Sequence, residues 1–396
     1  MKISLIQPGR NNLKYLKWSY DSIRKNQGNH EVEICVADDA STDGTWEWCK
    51  EMVKKDPLFK AYKNPGPNRI GHTILYDILI NEVATNKIAM IYHADMYLCP
   101  GAIDAIEKEL KPRTIVSLTR IEPPLHPDGP EKILKNFGVE PEEFREKELL
   151  EFLKESVPDK STTEGIFAPW AFYIEDFQSI GGHDPLYAPQ SKEDSDIFNR
   201  FLLDGITFIQ TWHGTVYHMT CRGSRRNTVD KAKSIYEDSP EWLAQNKRST
   251  RNFIRKWGHF VMHDSLMKPI VPPKYNIGIE VAKGNYGLLE LLEPWCDTIY
   301  IDEGNTPALL KNYIEKEQPN TAIDLNARVK PFEASRVDEI LVKVDGSNFI
   351  QTDLNIIQIL SRIIKDNGEV GEFELGNLQI KIIEMNEYQD TLINIY

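Results

Sequence analysis

The stretch KIAMIYHADMYLCPG (Lys87–Gly101) reads as a strand that leaves a buried core and at once presents polar chemistry. Ile88 to Tyr92 are all apolar or aromatic, as in a strand covered on both faces. Pro100 and Gly101 end the segment. Between run and turn stand an imidazole and a carboxylate, His93 and Asp95, two residues apart.

Outward from this strand, the first 110 residues alternate strand and helix signals. ISLIQP and VEICVADD are apolar runs, each followed by a helical pattern (LKYLKWSYDSI and TWEWCKEMVKK), and GAIDAIEKEL follows the Pro-Gly turn. Such alternation predicts an α/β fold with a mostly parallel central sheet, whose ligands bind beyond the carboxyl ends of the strands. Those ends read Pro8-Gly9-Arg10, Asp38-Asp39 and His93-Ala94-Asp95. All three carry groups that a shared nucleotide site requires.

The chain has 396 residues, with 41% hydrophobic and 27% charged, which is ample for more than one core. Residues 123–165 are Pro-rich and then strongly charged (EPEEFREKELLEFLKES), and read as a helical insertion, more simply a solvated flap than a chemical element. Pro269 to Pro273 holds three prolines, after which strand-helix alternation restarts. The expected division is 1–268, a linker at 269–274, and a smaller α/β unit at 275–396.

The formal charge of -13 argues against nucleic acid as a partner. CRGSRR (Cys221–Arg226) is a local basic run despite it. Five scattered cysteines without C-x-x-C spacing suggest a reducing compartment. With no long apolar run, the expectation is a cytoplasmic protein without a transmembrane segment, with peripheral attachment left open.

Each chemical signal also has a bland explanation. Asp38-Asp39 before ASTDG is consistent with a capped turn, and one acid at a strand end is weak evidence for a metal. In GGHDPLYAPQSKEDSDIFNRFLLDGI, Gly181-Gly182 make a turn and Glu193-Asp194 open an apolar-periodic helix, where carboxylates also suit the macrodipole. TWHGTVYHMT offers His213 and His218.

In order, however, SLIQPGRNN, VADDASTDGT, HAD and GGHDPLYAPQSKEDSDIFNRFLLDG resemble the segments of a family-2-type inverting glycosyltransferase with a GT-A fold, over about residues 1–226. The resemblance implies a nucleoside-diphosphate sugar donor (UDP- or GDP-sugar) and transfer to a glycan, lipid-linked or small-molecule acceptor. It implies that Asp39 binds the base, with Pro8 and Arg10 in the same loop and Asp38, Arg69 and His93 on the donor side. Asp95 would meet a Mn2+ or Mg2+ ion on the diphosphate, and Asp194 would be the general base. His218 is the chosen downstream ligand, with His213 the alternate. Arg222, Arg225 or Arg226 would add charge to the leaving group, an inference from charge alone.

His93 departs from the family's usual first aspartate, and an imidazole there tilts preference towards manganese. Gly9-Arg10 replaces a small residue plus Tyr, which leaves base preference open. A nucleotidyltransferase would share the core but has no use for the GGHD…ED segment, and a binding module would tolerate loss of Asp194. Residues 275–396 faintly resemble a class I methyltransferase-like Rossmann unit: IGIEVAKGNYG as first strand and loop, DTIYIDEG as the second strand, and no Gly-x-Gly. An inactive or structural domain is the expectation, an added methyltransferase-like activity the alternative.

Overall fold

The computed structural model describes residues 1–156, 158–220, 237–302 and 306–395. The basic run Cys221–Arg226, and with it Arg222, Arg225 and Arg226, lies outside them. By contacts the chain divides into two units, Met1–Gln245 with His263–Ile270 and Asn394–Tyr396, and Asn246–Met262 with Val271–Ile393. This division falls earlier than the proline cluster, inside a helix.

The first unit is built on a mixed sheet. Its strands are β1 (Lys2–Gly9), β2 (Glu31–Asp38), β3 (Phe59–Lys63), β4 (Ile88–Ile91) and β5 (Met96–Leu98). They are followed by β6 (Thr114–Glu122), β7 (Lys132–Leu134), β8 (Thr162–Thr163), β9 (Trp170–Tyr173) and β10 (Thr207–His218). The order is β3-β2-β1-β4-β9-β6-β10-β5, with β7 beside β6 and β8 beside β10. β3 to β4 are mutually parallel, and β9 enters between β4 and β6 antiparallel to both. In β1 and β2 every residue but the first is buried, because helices cover both faces.

Helices α1 (Leu13–Asn26), α2 (Thr45–Lys55), α3 (His72–Ile78) and α4 (Ala102–Glu109) connect these strands. Asp43 ties the first two together: its carboxylate accepts the amide of Leu13 at 3.0 Å and that of Thr45 at 3.1 Å. The buried core includes Leu5, Ile34, Met90, Leu98, Ile106 and Val116.

The charged insertion is not a solvated flap. Its helix α5 (Glu146–Glu155) turns Leu149 inward, and Leu149 and Phe137 join a buried cluster with Tyr97, Cys99 and Tyr217. Tyr217 secures it, accepting from the Phe137 amide at 3.0 Å and donating to the Gly138 carbonyl at 2.6 Å. The charged run is the outer face of an amphipathic helix. The remaining helices here are α6 (Ile174–Ser179), α7 (Glu193–Leu203) and α8 (Pro240–Trp257), the last of which continues into the second unit.

The second unit has a six-stranded sheet of β11 (Ile277–Ala282), β12 (Thr298–Ile301), β13 (Val329–Pro331), β14 (Ile340–Asp345), β15 (Gly371–Leu375) and β16 (Leu378–Ile382). The order β13-β12-β11-β14 is parallel and follows the 3-2-1-4 start of a doubly wound sheet, closed by the antiparallel β16-β15 hairpin. A Cβ at Gly284 would lie 2.5 Å from Ile301, so the loop after β11 packs directly on the strand ends. Arg251, Arg255 and Arg328 converge on the fully buried carboxylate of Glu293, with Arg255 Nη2 2.7 Å from Oε2. This pins the C-terminal part of α8 to the unit's own core, which holds Ile279, Ile299, Val342 and Ile254.

Candidate active site

A cleft of about 390 Å³ opens in the first unit where β1, β2 and β4 end, and its walls contain Pro8, Arg10, Asp39 and Arg69. The same cleft takes in His93, Asp95, Asp194 and His218. Of the donor-side residues expected from sequence, Asp38 is not in its lining, and its Oδ1 accepts the Ser41 amide at 3.2 Å. A larger hollow of about 520 Å³ lies against α5 and β10, walled by Phe152, Trp212 and His213. His213 is exposed there and pairs with Ser161 Oγ at 3.3 Å, so it is not beside Asp95.

The approach of His218 to Asp95 is a consequence of strand pairing. β5 runs antiparallel to the end of β10 with His218 opposite Met96, and the Met219 amide donates to the Asp95 carbonyl at 3.0 Å. His218 Nε2 lies 3.4 Å from Asp95 Oδ1, and the rings of His93 and His218 are 5.8 Å apart. One ligand atom from each of the three residues lies within 4.8 Å of the others, the only such cluster of potential ligands among the described residues. Two imidazoles and a carboxylate form a donor set that a divalent metal ion could take.

Charge in this cluster is unevenly distributed. Burial pushes the His93 pKa down to about 4, against the pull of Asp95, so its ring is neutral at pH 7. Burial also opposes a charge on His218, but Asp95 and Glu122 outweigh it and raise its pKa to about 9. Burial opposes ionisation of Asp95 too; His218 and His93 reverse that and lower its pKa. To serve as a ligand at neutral pH, His218 would have to give up a proton.

Across the cleft, the loop from Ser191 to Lys192 has positive φ angles of 81° and 73°, which turn Glu193 and Asp194 into the cleft at the start of α7. Behind it, Arg200 holds the Gly-Gly turn, donating to the Ile180 carbonyl at 2.9 Å and the Gly182 carbonyl at 2.5 Å while pairing with buried Asp196 at 2.7 Å. Gly182 has φ +75°, and a Cβ there would sit 2.2 Å from Asp77 Oδ2. Asp77 in turn receives His183 Nδ1 at 2.7 Å.

The two carboxyls perturb each other. Burial and then the neighbouring Asp194 push the Glu193 pKa up to about 8. Burial raises that of Asp194 as well, with His183 acting against the rise. Burial thus favours the protonated form of Glu193 at neutral pH, while His183 pulls Asp194 towards the ionised form.

At the other end, Asp39 organises the loop after β3. Its Oδ1 accepts Asn64 Nδ2 at 2.7 Å and the Ile70 amide at 2.9 Å, and its Oδ2 accepts the Gly71 amide at 2.9 Å. Oδ2 keeps capacity for one further donor. Arg69 lies beside it and reaches Gln190 Oε1 at 3.1 Å. His72, Tyr76 and Trp242 also line the cleft, and no sequence signal marked them.

Residues 4–168 match the family described as Glycosyl transferase family 2. That match runs from β1 to just before β9 and takes in Asp39, Arg69, His93 and Asp95. No curated protein matches the chain. Among solved structures it is similar to GalNAc-T7 with UDP, GalNAc and Mn2+, at 15% identity and TM-score 0.45, over 64% of this chain and 48% of that one. It is also similar to mannosyltransferase PcManGT from Pyrobaculum calidifontis in complex with GDP-Man and Mn2+, at 18% identity and TM-score 0.42, over 64% and 63%. A third, S. aureus TarS, shows 14% identity and TM-score 0.39 over 64% and 80%. The chain thus spans about half the length of the GalNAc-T7 chain. No described helix is long and apolar enough to cross a membrane.

Proposed function

We propose that the first unit transfers a sugar from a nucleoside-diphosphate sugar to an acceptor hydroxyl in a single inverting displacement. One observation carries this reading: a single cleft is lined by the carboxylate of Asp39, the His93–Asp95–His218 cluster and the Glu193–Asp194 pair. Asp39 Oδ2 can accept an N–H of the base, and Arg10 and Arg69 add positive charge on the donor side. His93, Asp95 and His218 would hold a divalent ion, Mn2+ favoured over Mg2+ by the imidazoles. When bound, the ion supplies positive charge that stabilises a departing diphosphate.

Asp194 takes the acceptor proton at a carboxylate oxygen as the hydroxyl attacks the anomeric carbon. Its raised pKa brings its basicity nearer to neutral pH, where general-base help is most effective. Glu193, protonated, keeps a second negative charge away from the attacking oxygen. A UDP- or GDP-sugar is the expected donor, and the acceptor is a glycan, a lipid-linked sugar or a small molecule.

The test incubates the full chain with a panel of nucleotide sugars and Mn2+ and measures nucleoside diphosphate release. Asp194→Asn is expected to lose roughly 100- to 10,000-fold in turnover while donor affinity is kept. Chelator should abolish release and Mn2+ restore it. Near-normal turnover by Asp194→Asn removes it from the mechanism, and release of pyrophosphate instead would identify a nucleotidyltransferase.

A further inference from the structure

We propose that Glu122, which no motif singles out, is the positioning residue that fixes His218 as a metal ligand. Its carboxylate takes the hydrogen on Nδ1 and so reserves Nε2 for the cation. The proposal rests on the metal reading above and asks what makes that site competent.

Glu122 is the last residue of β6, and the parallel register of β6 with β10 sets Ile121 opposite Tyr217, the residue before His218. The carboxylate of Glu122 is 1% exposed, and its Oε1 lies 2.8 Å from His218 Nδ1. The other imidazole nitrogen, Nε2, faces Asp95 Oδ1 at 3.4 Å. A carboxylate only accepts, so Nδ1 carries a hydrogen towards Glu122, and the proton His218 gives up to become a ligand is the one on Nε2, which faces the cluster. Carboxylate, imidazole and cation in this sequence fix both the tautomer and the ring orientation of a ligand, and strengthen its basicity.

The charge on Glu122 is itself supported. Lys132 Nζ lies 3.3 Å from its Oε2 and Arg120 Nη1 lies 3.3 Å from its Oε1. These cations stand opposite each other on β6 and β7, where Arg120 pairs with Lys132. A purely structural role would make Glu122 a counter-ion for Arg120 and Lys132. Its shortest polar contact, however, is to the imidazole, at 2.8 Å against 3.3 Å for either cation.

The experiment titrates the full chain with Mn2+, following free ion by electron paramagnetic resonance and bound ion by its nitrogen-14 couplings. Glu122→Gln is expected to bind Mn2+ roughly 10- to 100-fold more weakly, with an altered imidazole coupling. In a His218→Ala background the same change should have almost no further effect, whereas a structural counter-ion would add its own loss. If Glu122→Gln does not fold, Glu122→Asp keeps the charge but draws the carboxylate back from Nδ1, and a weakened affinity is again expected. Wild-type affinity and coupling in a folded Glu122 variant would overturn the proposal while sparing the metal site. A wild-type chain that does not bind Mn2+ would overturn both.

Discussion

Glu193 is buried against another carboxylate, and its consequence for stability is opposite to that of an ordinary paired acid. Its folded pKa is raised from 4.5 to about 8. Folding therefore holds the proton more tightly than the unfolded chain does. The stability this gives is fully present below about pH 4.5 and is lost as pH rises through about 8. Glu193→Gln, which cannot ionise, should remove that loss. We expect urea midpoints of wild type and variant to separate between pH 5 and 8, the variant being the more stable, by on the order of a few kcal/mol. Parallel curves would mean that burial does not raise the Glu193 pKa as described. At this scale the sequence was legible where side chains stand at strand ends. His93 and Asp95 follow an apolar run so closely that their exit from the core is forced, whereas Glu122 closes TIVSLTRIE, a run that reads as a plain core strand. Its role depends on β6 pairing with β10, and nothing local records that pairing.

At the scale of elements, periodicity conveyed the alternation of β1 through α4 but misjudged the insertion. The charges of EKELLEFLKE dominate a reading by composition, while one leucine and two phenylalanines nearby decide the packing. Leu149 is fully buried, and Phe137 and Phe152 lie against each other at 5.7 Å between ring centres. A solvated flap would tolerate Leu149→Ala almost without cost. A packed element would lose about 2–5 kcal/mol, the usual range for truncating a buried leucine. Chemical denaturation of the variant distinguishes the two, and we expect the larger loss. The short strand β5 was also hidden, because MYL is too brief to announce itself beside the Pro-Gly turn. Yet it is β5 that pairs with the end of β10 and carries His218 to Asp95.

For the whole molecule, the two units have their own sheets and their own buried clusters, and only the first contains the His93–Asp95–His218 set. Restarted alternation after the prolines indicated the second sheet, but not that α8 would lend its C-terminal part to it. That assignment rests on Arg251 and Arg255 meeting Glu293, a contact between residues about 40 positions apart. A ligand that binds one folded unit stabilises that unit by mass action, by about 2.7 kcal/mol at 100 times its dissociation constant. Calorimetry of the full chain should therefore resolve two transitions, with Mn2+ raising only one of them. Glu293→Ala strands three arginines without their buried partner and should lower the other transition, by about 3–5 kcal/mol. If Mn2+ and Glu293→Ala act on the same transition, the two units unfold as one, and the division drawn from contacts has no thermodynamic counterpart.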